Sequence, residues 1–335
     1  MVEKIQISDS LFRDHVFVDT RSPAEFEADH IPEAINIPIF DNEQRKIIGI
    51  QYKKDPDKAF EVGYEIYNKE LPRITEEIQK IDKDRKVVIY CWRGGMRSKA
   101  ITELVCSLGY ECYQLDGGYK QYRAHARQSL GSYNPPFRLI VLYGLAGAGK
   151  TEIINSIEPS IDLEGFAQHR SSIFGAVGLK PNTQKMFESL LYRRLLELKD
   201  ENHVFIEGES RKIGDLFIPE SIFNAMKKGI AVRVDCPVNL RAERLVKDYM
   251  THGENEKVRE LVISLKQFVS GKVVQDVLDH MDNGDYRRAI EVILEKHYDI
   301  KYGHYIDPIE YSYRIENTDI DKSINQLHEK MAVLP

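Results

Sequence analysis

The chain has 335 residues, 42% of them hydrophobic and 30% charged, and a formal net charge of -6. That length exceeds the roughly 250–300 residues at which one hydrophobic core stops growing, so two domains of an ordinary soluble globular protein are expected. A modestly acidic chain excludes wholesale nucleic-acid binding, and any RNA contact has to come from a local basic patch.

The opening MVEKIQISDS has acidic residues and no apolar core, and no later stretch reads as a membrane span, so neither a signal peptide nor a membrane contact is expected. Cys91, Cys106, Cys112 and Cys236 lack paired metal spacing. That points to free thiols, no structural metal and a cytoplasmic protein.

Residues 1–130 alternate strands and helices. HVFVDTRSPAEFEADHIPEAINIP predicts a strand over Val16–Val18, then Asp19 and Arg21, then a short helix opened by Ser22-Pro23 and a second strand in the closing residues. In VVIYCWRGGMRSK, the apolar run Val87–Tyr90 reads as a buried strand that delivers Cys91 to a loop of Trp92, Arg93, Gly94, Gly95, Met96, Arg97 and Ser98. A helix follows and stops at Gly109, and Glu111–Asp116 forms another strand before a Gly-Gly turn and a helix. This is a small parallel α/β sheet, whose binding site belongs at the carboxyl ends of its strands.

Cys91 sits on a strand-to-helix turn, where loop amides, the helix N-terminus and the guanidinium groups of Arg93 and Arg97 can face one point. Such a cradle suits an anion and favours a thiolate nucleophile. A packing cysteine would explain neither the two glycines nor the two arginines. Two chemistries use a Cys-x5-Arg loop: a phosphatase attacks phosphorus there, and a sulfurtransferase carries sulfur or selenium on the cysteine.

The three segments VDTRSPAEFEADHIPEAINIP, VVIYCWRGGMRS and YQLDGGYKQYR, in that order, resemble the rhodanese domain. The resemblance implies that Cys91 is the chalcogen-carrying nucleophile and that Asp19 and Arg21 brace the fold beside it. The loop is one residue longer than in the usual sulfurtransferase, a length that resembles the phosphatase-like members. A phosphate bearing selenium or sulfur would satisfy both.

GSYNPP, residues 131–136, reads as a linker, and residues 137–335 as a P-loop, kinase-like α/β domain with a helical C-terminal extension. Leu139–Tyr143 is a strand, and Gly144, Gly149, Lys150 and Thr151, with Gly147 between, fill G-x-x-x-x-G-K-T before a helix. Its amides cradle a phosphate chain, Lys150 reaches the outer charge and Thr151 is placed to ligate Mg²⁺. HVFIEGES and GIAVRVDCP supply further strands, with Glu207 or Glu209 in a Walker B role. The polar segment IDLEGFAQHRSSIFG, with Asp162, Glu164, His169, Arg170, Ser171 and Ser172, reads as a functional loop near the phosphate site. Arg241 and Arg244 stand where small-molecule kinases keep phosphate-binding arginines, or on a solvated helix face. Tyr298, Tyr302 and Tyr305 in the tail could stack on bases or pack, and packing is the simpler role.

The segments IDLEGFAQHRSSIFG, PNTQKMFESLLYRRL and VFIEGESRKIGDLFIPESIFNAMK behind a CWRGGMRS rhodanese domain resemble the tRNA 2-selenouridine synthases. The resemblance runs from Val18 to about Tyr249, and the rhodanese-then-P-loop order is itself unusual. It implies a transferase acting on wobble 2-thiouridine in the anticodon arm of tRNA. Geranyl diphosphate alkylates the sulfur, and selenophosphate then supplies the selenium that displaces the geranylthio group. A selenophosphate-producing enzyme would be a partner. On this view the P-loop holds geranyl diphosphate, although the motif alone also permits ATP. Taken alone, the half-motifs also permit a phosphatase fused to a metabolite kinase, or a non-catalytic nucleotide-gated docking module. Candidate RNA contacts are Arg193 and Arg194, Arg211 and Lys212, Lys227 and Lys228, and Arg287 and Arg288, each pair equally suited to a solvated face.

Overall fold

The structure, a computed structural model, describes residues 2–331. The chain divides into two compact units: residues up to Leu130 together with Glu188–Leu196, and Gly131–Phe187 together with the chain from Glu197. A nine-residue stretch downstream of the P-loop thus belongs with the first unit.

In the first unit, β1 (Lys4–Ile5), β2 (His15–Asp19), β3 (Ile35–Asn36), β4 (Lys86–Tyr90) and β5 (Cys112–Leu115) form one sheet in the order β1-β5-β4-β2-β3. Every neighbouring pair is parallel. Val87, Val88, Ile89 and Tyr90 are fully buried, as expected of a central strand covered on both faces. Ile74, Ile78, Ile101 and Val105 pack on this sheet from the helices Pro56–Gln79 and Met96–Ser107. The stretch Glu188–Leu196 is tied in by polar contacts: Arg123 donates to the Ser189 hydroxyl at 3.1 Å, Tyr192 to Asp9 at 2.6 Å, and Arg193 to the Phe12 carbonyl at 2.9 Å.

The expectation of four free thiols is corrected at one pair. The helix Met96–Ser107 and strand β5 place Cys106 and Cys112 with Cα atoms 5.7 Å apart, and they form a disulfide, leaving Cys91 and Cys236 free.

In the second unit, β6 (Arg138–Tyr143), β7 (Ser160–Ile161), β8 (His203–Glu207), β11 (Ile230–Asp235) and β12 (Tyr313–Glu316) run in the order β12-β11-β6-β8-β7, all parallel. A separate antiparallel pair is made by β9 (Lys212–Ile213) and β10 (Leu216–Phe217). The strand that feeds the P-loop is the central one. The C-terminal region is largely helical, with Val258, Val274, Leu278, Ile290 and Leu294 in a core of their own. It also returns to the sheet as β12, whose short YRIE run buries only Ile315 and gives no clear strand pattern in sequence. Among the described residues no helix is long and apolar enough to cross a membrane.

Candidate functional site

In the first unit, β4 ends directly at Cys91, and Gly95 caps the helix that follows. The thiol is 4% exposed. The Gly95 N–H donates to Cys91 Sγ at 3.2 Å, and the Ser98 hydroxyl lies 3.3 Å from the sulfur and 3.1 Å from the Gly95 carbonyl, with one hydrogen to give to either. The sulfur therefore has one backbone donor and a hydroxyl within reach. Gly94 takes φ +64°, a conformation that costs an L side chain, and a Cβ there would lie 2.7 Å from the Leu115 carbonyl oxygen. Trp92, Arg93 and Met96 are exposed around the mouth.

The two loop arginines differ. Arg93 is solvent-exposed, whereas Arg97 donates to Glu25 at 3.0 Å. Glu25 also accepts from the Ser22 N–H at 3.2 Å and from Arg45 at 3.3 Å. Burial pushes the Glu25 carboxyl up, but Arg97, the Ser22 N–H and Arg45 outweigh it and hold the group below its ordinary range. Asp19 and Arg21 form a buried ion pair at 2.6 Å, and the Arg21 guanidinium lies 3.8 Å from the Tyr119 ring centre. Both brace the fold.

Two residues of this centre, both within the YQLDGGYKQYR segment, take a role there that the sequence alone did not assign. Gln114 on β5 is buried, and its Nε2 lies 2.9 and 3.0 Å from the Gly94 and Gly95 carbonyls and 2.8 Å from Ser98 Oγ, so its two hydrogens hold the loop from the neighbouring strand. Gly118, at φ +58°, lets the next helix approach so that the Tyr119 and Lys120 N–H groups donate to the Cys91 and Trp92 carbonyls at 2.9 and 3.0 Å. A Cβ on Gly118 would overlap the Cys91 carbonyl oxygen and the Gly94 nitrogen.

In the second unit, Gly144–Thr151 bridges β6 and the helix Lys150–Ser156, with Gly147 and Gly149 at φ +75° and +86°. Lys150 Nζ donates to the Gly144 carbonyl at 3.0 Å. The Thr151 hydroxyl lies 2.7 Å from Glu207 and 3.1 Å from Glu164, and the Glu164 N–H donates to the other Glu207 oxygen at 3.2 Å. Asp162 caps the helix Leu163–Ala167 through the Gly165 N–H at 2.7 Å. Burial pushes the fully buried Glu207 up to about 8, with the charges of Asp162 and Glu209 adding to the effect. Burial also raises Glu164, with Glu207 and Glu209 adding, and raises Asp162 and Glu209. The shifts all favour the protonated form of these carboxyls, and a bound cation would oppose them.

Arg241 and Arg244 lie behind and beside the P-loop. Arg241 is buried, donates to the Ala146 carbonyl at 2.8 Å and pairs with Asp299 through Nη1 at 3.0 Å. Arg244 pairs with Glu152 at 2.9 Å and reaches the Gly147 carbonyl at 3.4 Å. Asn317, after β12, is buried and donates to the Ala148 carbonyl at 2.8 Å, a contact that sequence reasoning missed. Arg170 braces its own loop by donating to the Val177 carbonyl at 2.9 Å. Half-buried His169 is enclosed by Gly175 and Gly214, where any Cβ would strike its ring, and burial lowers its pKa. Arg211, 3.7 Å from Glu220, is exposed on the hairpin side. Tyr298 packs in the helical core, Tyr302 donates to the Ser171 carbonyl at 3.1 Å, and Tyr305 is 71% exposed. Of the basic pairs, Lys227 and Lys228 are exposed, Arg193 pairs with Glu33 at 3.2 Å, and Arg287 and Arg288 pair with Glu291 at 3.3 and 2.9 Å.

Comparison with known proteins finds relatives of both units. The profile of the rhodanese-like domain matches residues 6–125, and that of the tRNA 2-selenouridine synthase AAA domain matches residues 137–270. The chain is 28% identical to the tRNA 2-selenouridine synthase of Nitrosomonas europaea over 84% of this chain and 77% of that one. It is 31% identical to that of Nitrosomonas eutropha over 79% and 71%, and 27% identical to that of Shewanella piezotolerans over 92% and 93%. With a rhodanese loop around Cys91, a P-loop domain behind it and this similarity across both, the chain belongs to the tRNA 2-selenouridine synthase family.

Proposed function

We propose that this enzyme exchanges the sulfur of wobble 2-thiouridine in tRNA for selenium, through an S-geranyl intermediate. The observation that carries the reading is the presence in one chain of a buried thiol at Cys91, held by the Gly95 N–H with the Ser98 hydroxyl in reach, and a complete phosphate loop at Gly144–Thr151. In the first step the thiouridine sulfur attacks C1 of geranyl diphosphate and the C–O bond breaks. Lys150 and the loop amides then stabilise the departing diphosphate. Alkylation converts the sulfur into a leaving group.

In the second step, selenium from selenophosphate, carried on Cys91, attacks C2 of the base and expels the geranylthiolate. The Cys91 thiolate takes selenium from selenophosphate as the Se–P bonding pair leaves with phosphorus as phosphite, and once selenium is bonded to C2 an external thiol cleaves the S–Se bond, being oxidised to a disulfide as it frees Cys91. The Gly95 N–H and the Ser98 hydroxyl face the sulfur, and the loop of Trp92, Arg93, Gly94, Gly95, Met96, Arg97 and Ser98 admits the tetrahedral oxyanion of selenophosphate. Gln114 and Gly118 position the loop.

The donors around Thr151 fit Mg²⁺, which takes oxygen ligands and keeps part of its shell for water and substrate phosphate. Thr151, Glu207 and Glu164 would hold it, and it would neutralise charge on the diphosphate. Glu209 and Asp162 would act through that cluster. Among the described residues no three His, Cys, Asp or Glu side chains gather as a metal cage. Anticodon-arm phosphates would be met by the exposed Lys227 and Lys228 and by Arg211 and Lys212, with Arg193, Arg194, Arg287 and Arg288 as further candidates.

The test is nucleoside mass spectrometry on tRNA incubated with the purified chain, geranyl diphosphate and selenophosphate. Cys91→Ser should accumulate S-geranyl-2-thiouridine and form no 2-selenouridine, whereas Lys150→Ala should form neither. Selenation by Cys91→Ser at the wild-type rate would refute the role of the thiol.

A further inference from the structure

Beside the P-loop, at the carboxyl ends of β11 and β12, the second unit carries a cleft of about 390 Å³. Its floor is apolar: Leu145 and Ala148 from the P-loop itself, Val234 and Pro237 after β11, and Ile315 from β12. Arg241, Asp235 and Arg314 at its edge are engaged with other groups, and Glu316, exposed at the end of β12, stands at the rim. Arg241 is held by Asp299 and the Ala146 carbonyl, and Asp235 by Arg233 at 2.8 Å, with Arg314 3.7 Å away. The free thiol of Cys236 lies in the cleft, 3.1 Å from Arg244 Nη1. Two residues of the phosphate loop thus also form a wall of the cleft, so a ligand gripped by the loop has its non-phosphate part beside apolar surface.

We infer that this cleft is the isoprenoid subsite of the P-loop, taking the hydrocarbon chain of an allylic diphosphate whose phosphates lie on Gly144–Thr151. The inference rests on the proposed geranyl diphosphate reading and adds to it where the chain goes. A nucleoside in the same place would need free donors and acceptors for its base and sugar, whereas the arginines and Asp235 already have partners and Glu316 at the rim offers acceptors alone. An isoprenoid needs only dry walls and room, and the volume lies within the range of small-molecule clefts.

The experiment uses the full chain as Cys91→Ser, so that Cys236 is the reporting thiol, with alkylation read on the Cys236 peptide by mass spectrometry. Geranyl diphosphate should slow alkylation about tenfold or more, and inorganic diphosphate by less than about twofold. In the companion variant Cys236→Phe, which fills the cleft, geranyl diphosphate should bind about tenfold more weakly while inorganic diphosphate binds within about twofold of wild type. Equal protection by both ligands, or a Cys236→Phe variant with unchanged geranyl diphosphate affinity, overturns the subsite while leaving the P-loop reading intact. Protection by ATP and none by geranyl diphosphate overturns both. Loss of inorganic diphosphate binding in Cys236→Phe would mark a damaged loop, and the protection ratio in the Cys91→Ser protein then decides alone.

Discussion

Gly118→Ala should damage the Cys91 loop without touching any group that does chemistry. The added methyl would force φ +58° on an L residue, costing about 1–2 kcal/mol. It would also overlap the backbone of Cys91 and Gly94, neither of which is the flexible end of a side chain. Relief requires the helix Gly118–Gly131 to move away, and the bonds from the Tyr119 and Lys120 N–H groups, at 2.9 and 3.0 Å, are lost with it. At about 1 kcal/mol each they bring the total to roughly 3–4 kcal/mol. With a urea dependence of about 1–3 kcal/mol per molar, the midpoint of the first unit should fall by about 2 M. The assay is direct because Trp92 is the only tryptophan in the sequence and lies in the loop, so its fluorescence follows this unit. Gly95→Ala is the control. Gly95 has φ -94° and nothing within 4 Å of an added Cβ, so its midpoint should move by less than about 0.5 kcal/mol equivalent. A Gly118→Ala protein as stable as wild type, or a Gly95→Ala protein equally weakened, would refute the account of how the loop is held.

Glu207, pushed up to about 8 by burial and by its acidic neighbours, binds its proton more tightly folded than unfolded. Stability of the second unit should therefore be full below about pH 4.5 on this group's account and fall as pH rises toward 8, by at most about 1.4 kcal/mol per pH unit. Hydrogen exchange across β8 at several pH values measures it, and Glu207→Gln should flatten the slope. Arg241→Ala should cost roughly 2–3 kcal/mol, below the 3–5 kcal/mol of a fully buried pair because Asp299 is 27% exposed, whereas Arg211→Ala should be neutral in the same denaturation assay. Glu25→Gln should raise Cys91 alkylation by anionic iodoacetate relative to neutral iodoacetamide by about two- to tenfold, because Arg97 loses its counter-charge; an unchanged ratio would put Arg97 out of reach of the thiol. If the Lys227 and Lys228 pair meets tRNA phosphates, replacing both by alanine should lower the log–log salt slope of tRNA binding by nearly 2, and a flat salt response of the wild type would argue against any phosphate contact.

The strand-loop-helix units were legible because each is local: Val87–Tyr90, the Gly-containing turn and the helix to Ser107 are contiguous, as are Arg138–Tyr143 and the phosphate loop. What escaped was fixed by contacts distant in sequence. The helices Asn42–Lys54 and Pro56–Gln79 keep Ile47, Ile50, Phe60 and Tyr64 exposed, which blurs their apolar stripe. Glu188–Leu196 reads as part of a helix in the P-loop domain, yet Ser189, Tyr192 and Arg193 bond to residues more than 60 positions upstream in the first unit. Cys106 and Cys112 become partners only because a helix end and the start of β5 are brought together.

The arginines show how far a motif can be carried. In sequence, Arg93 and Arg97 look like anion ligands, and Arg241 and Arg244 fit either anion ligands or a solvated helix face, because a motif records which charges are nearby and not which are already neutralised. In the fold, Arg97 faces Glu25 and Arg241 faces Asp299, each at hydrogen-bond distance in a partly desolvated setting where the attraction between charges is strong. A second anion arriving at Arg97 must compete with a carboxylate that is already in place, so its net pull is the difference between two interactions and not the whole of one. Arg93, exposed and on the mouth of the loop, carries no such discount. Electrostatic recruitment to Cys91 should therefore depend more on Arg93 than on Arg97. Arg93→Ala should cut the iodoacetate-to-iodoacetamide ratio at Cys91 by more than Arg97→Ala does. The reverse order would mean that Glu25 yields Arg97 to the incoming anion, and that the ion pair is a store of charge for the substrate and not a brace for the loop.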